Sequence, residues 1–137
     1  MQRIRPYLNH DYEYFVKRPK RYTHSLLATE FYRELLKQSK VDTFLVEKEL
    51  GNIRPDALFG YELNGKKYIG LLEVEISNNG FNYDKYEKLY NTGEYKKVFP
   101  VMPTVYMIYR NGKIPTDTKV NYIRLNASLG NFKLSPS

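Results

Sequence analysis

The sequence predicts an α+β (α/β) domain with a central mixed sheet flanked by helices. Three observations lead to this class: a helical apolar stripe early in the chain, three strand-like runs joined by tight turns, and a second helical stripe followed by another strand. A helix between a meander and a further strand returns the chain to the same sheet. We therefore expect the order α-β-β-β-α-β, with a short additional strand after it.

Two short turns separate the three strand-like runs. Gly51-Asn52 suits a type II′ turn and Asn64-Gly65 suits a type I′ turn, so both predict two-residue hairpin loops. Apolar side chains recur at helical spacing before the first run and after the third. The predicted elements are a helix over 23–39, strands over 43–50, 54–63 and 66–76, a helix that begins near Tyr83, and strands over 103–110 and 120–125.

The length of 137 residues is that of one domain. We expect a folded domain over 23–125, a basic aromatic arm over 1–22 and a loose C-terminal tail over 126–137. Cysteine is absent, which excludes disulfides, thiolate metal sites and cysteine nucleophiles. Prolines interrupt the longest apolar stretch, which is far shorter than the roughly 20 residues of a membrane span. We expect a cytoplasmic protein that does not associate with membranes.

Positive charge is concentrated at the start of the chain. The net charge is +7, and residues 1–21 carry six basic and two acidic side chains, with aromatic residues between them. Cations neutralise phosphates and aromatic rings stack on bases, so this arm suits DNA. The alternative is a solvated segment that packs its rings on the domain. The candidate DNA-binding residues are Arg3, Arg5, Lys17, Arg18, Lys20 and Arg21 of the arm, together with Arg54.

The two turns fix a register that gathers acidic residues. If both loops have two residues, Glu47 lies opposite Asp56, and Asp56 lies opposite Glu73. Because side chains alternate along a strand, these three share one face of the sheet, beside a row of leucines. The next row holds Glu49, Arg54 and Glu75.

Like charges directly opposite each other cost roughly 0.2 to 1 kcal/mol per pair in a sheet. We infer that a cation binds Glu47, Asp56 and Glu73, because carboxylate oxygens are ligands for Mg²⁺ or Mn²⁺. Such an ion supports phosphodiester hydrolysis. The alternative is a surface ion-pair cluster of Glu49, Arg54 and Glu75 with the other acids solvated, and a β-bulge in either hairpin would also separate the row.

Two motifs contain these acids: Arg54-Pro55-Asp56-Ala57 on the second strand and Glu73-Val74-Glu75 on the third. Together with the order of elements, they resemble the PD-(D/E)xK nuclease superfamily, whose fold is a restriction-endonuclease-like core. Residues 23–110 are similar, more narrowly, to the replication-relaxation family of plasmids and mobile elements of Gram-positive bacteria. The further residues that carry this second resemblance are His24, Glu49, Leu72, Lys85 and Tyr90.

The resemblance implies that Asp56 and Glu73 hold the metal and that a lysine two residues after Glu73 orients or activates the water. Glu75 stands at that position here, as glutamate does in some restriction endonucleases. The catalytic cation would then be Lys85 on the second helix, or Arg54. Glu47 or Glu75 would complete the metal shell or accept a proton from water.

Two functions are expected on this basis. The first is a DNA-acting protein of plasmid or mobile-element replication or transfer that cleaves phosphodiesters with Mg²⁺ or Mn²⁺. The second is a non-catalytic DNA-binding accessory domain of the replication-relaxation type, which the glutamate at the lysine position favours. A protein-interaction module is a third interpretation. Many enzymes of this fold are dimers, so the expected assemblies are a homodimer or a replication or transfer complex.

Overall fold

A computed structural model describes residues 19–51, 53–75, 82–109, 114–126, 129 and 132–134, with side chains from His24 onward. It has the predicted α+β class, with a five-stranded mixed sheet and helices. The elements are α1 (Pro19–Gln38), β1 (Lys40–Val46), β2 (Ala57–Leu63), β3 (Lys66–Glu75), α2 (Asp84–Asn91), a 3-10 helix (Glu94–Lys97), β4 (Thr104–Tyr109) and β5 (Tyr122–Leu125).

The strands lie in the sheet in chain order, β1-β2-β3-β4-β5. The first three form an antiparallel meander, and β4 and β5 continue the sheet in parallel pairing. A parallel neighbour requires a crossover connection, and α2 with the 3-10 helix lies on the one between β3 and β4. The sequence therefore predicts both the element order and the mixed character of the sheet.

The two hairpins agree with the predicted register to different extents. Asn64 and Gly65 both have positive φ, as a type I′ turn requires, and Leu63 pairs with Lys66. In the first hairpin, Leu45 pairs with Leu58 as predicted, yet β1 ends at Val46 and β2 begins at Ala57. An isolated bridge between Leu50 and Ile53 keeps the same register closer to the turn.

One core lies between α1 and the sheet, and Phe31 is at its centre. Its ring centroid lies 5.0 Å from that of Phe59, 5.7 Å from that of Tyr106 and 4.8 Å from that of Phe132. Ala28, Phe31 and Leu35 form the buried stripe of α1. The sequence also assigned Leu26 and Leu36 to this stripe, but both are exposed, since they project from the other side of the helix.

A second core covers the opposite face of the sheet, beneath α2. Tyr86 is fully buried there against the strands, and Leu89 follows one turn later. Leu58, Leu71 and Met107 are the sheet's contribution at its centre. Both faces of the sheet are thus buried, which accounts for the apolar character of both faces of the central strands.

Part of the segment over 126–137, which the sequence predicts to be a loose tail, packs on the domain. Leu129, Phe132 and Leu134 are buried in the core beneath α1. The amide of Gln38 fixes this segment: its Nε2 donates to Phe132 O at 3.0 Å, and its Oε1 accepts from Leu134 N at 2.6 Å. The sequence did not indicate this, because three apolar residues at irregular spacing match neither a helix nor a strand.

The basic arm lies largely outside the described residues. Arg3, Arg5, Lys17 and Arg18 lie outside them, while Lys20 and Arg21 belong to the first turns of α1, which starts at Pro19. Proline suits a first helical turn because its fixed φ is helical and its missing N–H has no partner there. Neither described helix has the length and apolar character of a membrane span.

Candidate active site

Asp56 lies directly before β2 and is fixed against β3 by two hydrogen bonds. Its backbone N–H donates to Leu72 O at 2.9 Å, and its Oδ2 accepts from Val74 N at 2.7 Å. The preceding Pro55 is fully buried, which restrains the backbone at the entrance to the strand. The side chain is partly buried. Asp56 is thus held rigidly at the end of the sheet where β2 begins and β3 ends.

Glu73 lies on β3, on the face that α2 covers, and α2 supplies two contacts to it. The hydroxyl of Tyr86 donates to Glu73 Oε2, and the ammonium group of Lys85 lies 2.7 Å from the same oxygen. The side chain of Glu73 is only 12% exposed and that of Lys85 is 32% exposed. Because charge-assisted hydrogen bonds strengthen where water is scarce, these two contacts fix the rotamer of Glu73.

Glu73 is close enough to Asp56 to influence the protonation of the Asp56 carboxylate. Burial, followed by the negative charge of Glu73, raises the pKa of Asp56 from 3.8 to about 6. The Val74 N–H and the charges of His24 and Lys85 lower it. Burial and the Glu73 carboxylate likewise raise the pKa of the Tyr86 hydroxyl, which therefore stays protonated and acts as a donor. The Glu73 carboxylate thus adds to the effect of burial in disfavouring the charged form of Asp56.

His24 and Lys85 are two basic residues near the carboxylate pair. His24 lies on α1, and its Nε2 is 2.8 Å from Val74 O; because a carbonyl only accepts, that nitrogen carries a hydrogen. Lys85 is in the first turn of α2. The sequence singled out Lys85 as a cation that moved from the strand to the helix, and the structure places its ammonium group at Glu73.

Glu47 interrupts the predicted row of Glu47, Asp56 and Glu73, and no three-carboxylate metal group is found among the described residues. Its backbone N–H donates to Asp56 O at 3.1 Å, so the register holds at this point. However, Glu47 follows the end of β1 and has a φ of 55°, in the left-handed region. The alternation of side chains applies to extended backbone, and it stops at Glu47 for that reason.

Glu75 and Arg54 lie near the end of the sheet in different surroundings. Glu75 is partly buried at the end of β3, where it pairs with Tyr109 on β4, and it shares the face of Glu73. Arg54 is exposed before β2, and within the described ranges it has no ion pair. The alternative cluster of Glu49, Arg54 and Glu75 is not formed among the described residues.

The two carboxylates have the donor chemistry for one hard cation. Asp56 Oδ1 and Glu73 Oε1 accept no hydrogen bond from the described residues, while the other oxygen of each side chain is occupied. Mg²⁺ usually takes one or two protein carboxylates and keeps several waters. Within the described part of the chain, no group of three or more Asp, Glu, His or Cys side chains is arranged to hold a metal ion. Asp56 and Glu73 together supply two carboxylates, the number of protein ligands that Mg²⁺ usually takes.

Two residues of the site were not identified from the sequence. Tyr86 belongs to the apolar stripe of α2, so its pattern indicates a core residue and hides the hydroxyl that reaches Glu73. His24, which the sequence indicated only through the second resemblance and without a role in the site, lies inside α1. For Tyr86 the available signal was its position next to Lys85 on the helix that follows the acidic strand.

Comparisons of the chain with family models, with curated proteins and with solved structures find no match.

Proposed function

We propose that this protein is a metal-dependent phosphodiesterase that acts on DNA, with Asp56 and Glu73 as the ligands of Mg²⁺ or Mn²⁺. The observation that carries the proposal is the pairing of these carboxylates, each with one oxygen that accepts nothing from the described residues, next to the ammonium group of Lys85. The antiparallel meander, the crossover helix and the parallel fourth strand support a restriction-endonuclease-like core, with the site at the end of β3.

Each side chain then has a specific role. Asp56, held by Val74 N–H, and Glu73, held by Tyr86, supply two oxygens in a fixed arrangement. The metal would polarise a phosphoryl oxygen and lower the pKa of water. Lys85 is placed to stabilise negative charge that develops on the phosphate. The net charge of +7 favours a polyanionic substrate.

One observation favours a second function, that of a non-catalytic DNA-binding domain in plasmid or mobile-element replication. Glu75 stands where the superfamily has its lysine, and Lys85 is already in contact with Glu73. An ion pair of this kind also stabilises a site that has lost its metal. In this alternative the protein binds DNA with the salt dependence of phosphate contacts and cleaves none.

The test combines cleavage and binding. Supercoiled plasmid, linear duplex, single strands and branched junctions are incubated with the protein and Mg²⁺, Mn²⁺ or EDTA. We expect nicking or cutting only with a metal, and loss of cleavage in Asp56→Asn while DNA binding persists. Asp42→Asn, an exposed aspartate on β1, is the matched control and should cleave normally. DNA binding without cleavage of any substrate would favour the accessory domain.

A metal titration tests the site without relying on activity. Since filling a site that repels itself stabilises the folded state, Mn²⁺ should raise the melting temperature of the wild type. Glu73→Gln should reduce that rise, and Glu62→Gln on β2 should leave it unchanged. Equal Mn²⁺ responses in all three proteins would contradict the assignment of Glu73 as a ligand.

A further inference from the structure

A pocket of about 270 Å³ lies beside the carboxylate pair and shares Lys85 with it. Its volume is just below the roughly 300 to 1,000 Å³ of pockets that hold drug-sized ligands, so it suits one small ring system. One wall is formed by α2 and the residues directly after it, and the other is formed by the loop before β2. Its lining residues are Ile53, Lys85, Lys88, Leu89, Thr92 and Glu94.

The lining combines an apolar floor with a cationic rim. Ile53 and Leu89 are buried members of the core beneath α2, and they present aliphatic surface to the pocket. Lys88 is exposed at the rim, and it has no ion pair among the residues that the structure describes. Glu94 brings a negative charge to the lining, and the ammonium group of Lys97, 3.1 Å from Glu94 Oε2, compensates it. The pocket is therefore complementary to a flat apolar group that is attached to an anion.

A nucleotide of DNA has this combination, with a base linked to phosphates on both sides. Because Lys85 belongs to both the pocket and the carboxylate site, a base in the pocket brings its neighbouring phosphate toward Asp56 and Glu73. A base in a duplex is stacked and paired, and it enters such a pocket only after it leaves the stack. An unpaired nucleotide does not bear that cost.

The geometry points to an unpaired DNA base as the occupant of this pocket, and hence to single-stranded or locally unpaired DNA as the substrate class. This inference rests on the proposed function for the chemistry at the adjacent phosphate. The recognition itself does not depend on that chemistry, because the apolar floor and Lys88 bind base and phosphate without the metal. Binding and cleavage can therefore be tested separately.

Binding is measured by fluorescence anisotropy in EDTA, with a single strand, the same sequence as a duplex, and an abasic strand of equal length. We expect the single strand to bind roughly tenfold more tightly than the abasic strand, because only the single strand can bury a base against the aliphatic surface of Ile53 and Leu89. Thr92→Trp places a ring in the pocket and should remove the preference. Asn91→Trp, on the neighbouring exposed position outside the pocket, should retain it.

Two charge-reversal variants test the same inference if Thr92→Trp fails to fold. Lys88→Glu should weaken single-strand binding more than duplex binding, whereas Lys66→Glu at the distant β2–β3 turn should weaken neither preferentially. Free deoxynucleoside monophosphates are a further arm: if they bind as tightly as the strand, the pocket is a site for small nucleotides and the DNA assignment is overturned.

Equal affinity for normal and abasic strands, or a preference that survives both Thr92→Trp and Lys88→Glu, would also overturn the inference. Its failure is distinguishable from failure of the proposed function. A strand preference in EDTA without any metal-dependent cleavage rejects the phosphodiesterase and keeps the pocket. If cleavage depends on the metal but the pocket variants leave the strand preference unchanged, the inference about the pocket fails and the proposed phosphodiesterase function stands.

Discussion

The hydroxyl of Tyr86 donates a hydrogen bond to Oε2 of Glu73, the same oxygen that contacts the ammonium group of Lys85. Two consecutive residues of α2 therefore hold one carboxylate of β3. This leaves the other oxygen of Glu73 directed away from both contacts. The crossover helix thus determines how the acidic strand presents its carboxylate, and several predictions depend on that arrangement.

Tyr86→Phe keeps the ring that fills the core beneath α2 and removes only the hydroxyl. Since a hydrogen bond to a charged group contributes about 1.5 to 3 kcal/mol, the free energy of unfolding should fall by an amount in that range. The affinity for Mn²⁺ should fall about 10-fold or more, because an outer partner of a ligand is lost. Urea denaturation and calorimetric titration measure the two effects.

Tyr61→Phe is the matched control for this change. Its hydroxyl lies 3.2 Å from that of Tyr106, in the core on the other face of the sheet, and neither group is charged. We expect a smaller loss of stability, about 1 kcal/mol, and an unchanged response to Mn²⁺. A Tyr86→Phe protein that binds Mn²⁺ as the wild type does would show that the hydroxyl has only a structural role.

Lys85→Met retains most of the aliphatic side chain and removes the ammonium group. Glu73 is left with less compensation in a site with little water, and we expect the free energy of unfolding to fall by about 1 kcal/mol after allowance for the exposed part of the pair. Lys97→Met breaks a far more exposed pair with Glu94 and should change stability by less than about 0.5 kcal/mol. Equal losses in the two variants would contradict this reasoning.

The raised pKa of Asp56 predicts a specific dependence of stability on pH. The folded protein holds the proton of Asp56 more tightly than the unfolded chain, so this contribution to stability is complete below about pH 4 and is lost as the pH rises through about 6. Asp56→Asn removes it. Without metal, the stability of Asp56→Asn relative to the wild type should increase by roughly 2 to 3 kcal/mol between those limits and neutral pH.

Urea denaturation across this pH range measures the difference, with Asp42→Asn as the control that should follow the wild-type curve. Mn²⁺ favours the ionised carboxylate, so its addition at neutral pH should restore the stability of the wild type relative to Asp56→Asn. Parallel pH curves for Asp56→Asn and the wild type would contradict the assigned pKa.

Gly70 on β3 is required by the ring of Phe59. A Cβ at this position would lie 2.4 Å from Phe59 Cζ and 2.6 Å from Cε2, which no packed structure tolerates without movement of the ring. Because Phe59 is fully buried among other rings, Gly70→Ala should cost about 1 to 3 kcal/mol. Gly60→Ala on β2 meets nothing closer than 3.8 Å and should have little effect in the same thermal unfolding experiment.

Gln38→Ala removes the amide that binds the C-terminal segment at two points. Leu134 N and Phe132 O lose their partners, which should cost about 1 to 3 kcal/mol for partly buried groups. Hydrogen exchange provides the local measurement, and the Leu134 amide should exchange faster while the amides of β2 and β3 keep their relative protection. Unchanged exchange at Leu134 would show that packing of Leu129 and Phe132 alone holds the segment.

The sequence predicted what depends on local rules and failed where tertiary contacts decide. Asn64-Gly65 specified its turn and, through the turn, the pairing that brings Asp56 near Glu73. The same reasoning placed Glu47 in the site, because nothing in the sequence shows that the backbone turns left-handed there.

Tertiary packing also determines which residues of α2 contact the carboxylates of the site. The spacing of Tyr83, Tyr86 and Leu89 predicts an apolar stripe, yet a tyrosine on that stripe serves the core with its ring and Glu73 with its hydroxyl. The segment that contains the buried Leu129, Phe132 and Leu134 makes two hydrogen bonds with Gln38, more than ninety positions earlier in the chain. Such distant pairings leave no periodic signal.

The contact between Lys85 and Glu73 means that the protein carries its own counter-ion. A divalent cation that binds Asp56 and Glu73 has to share Glu73 with an ammonium group or release it, so metal affinity is set by a competition inside the molecule. In the proposed phosphodiesterase, a Lys85 released in this way would lie next to the phosphate at the metal. One lysine would thus neutralise Glu73 before the metal binds and contact the substrate afterwards.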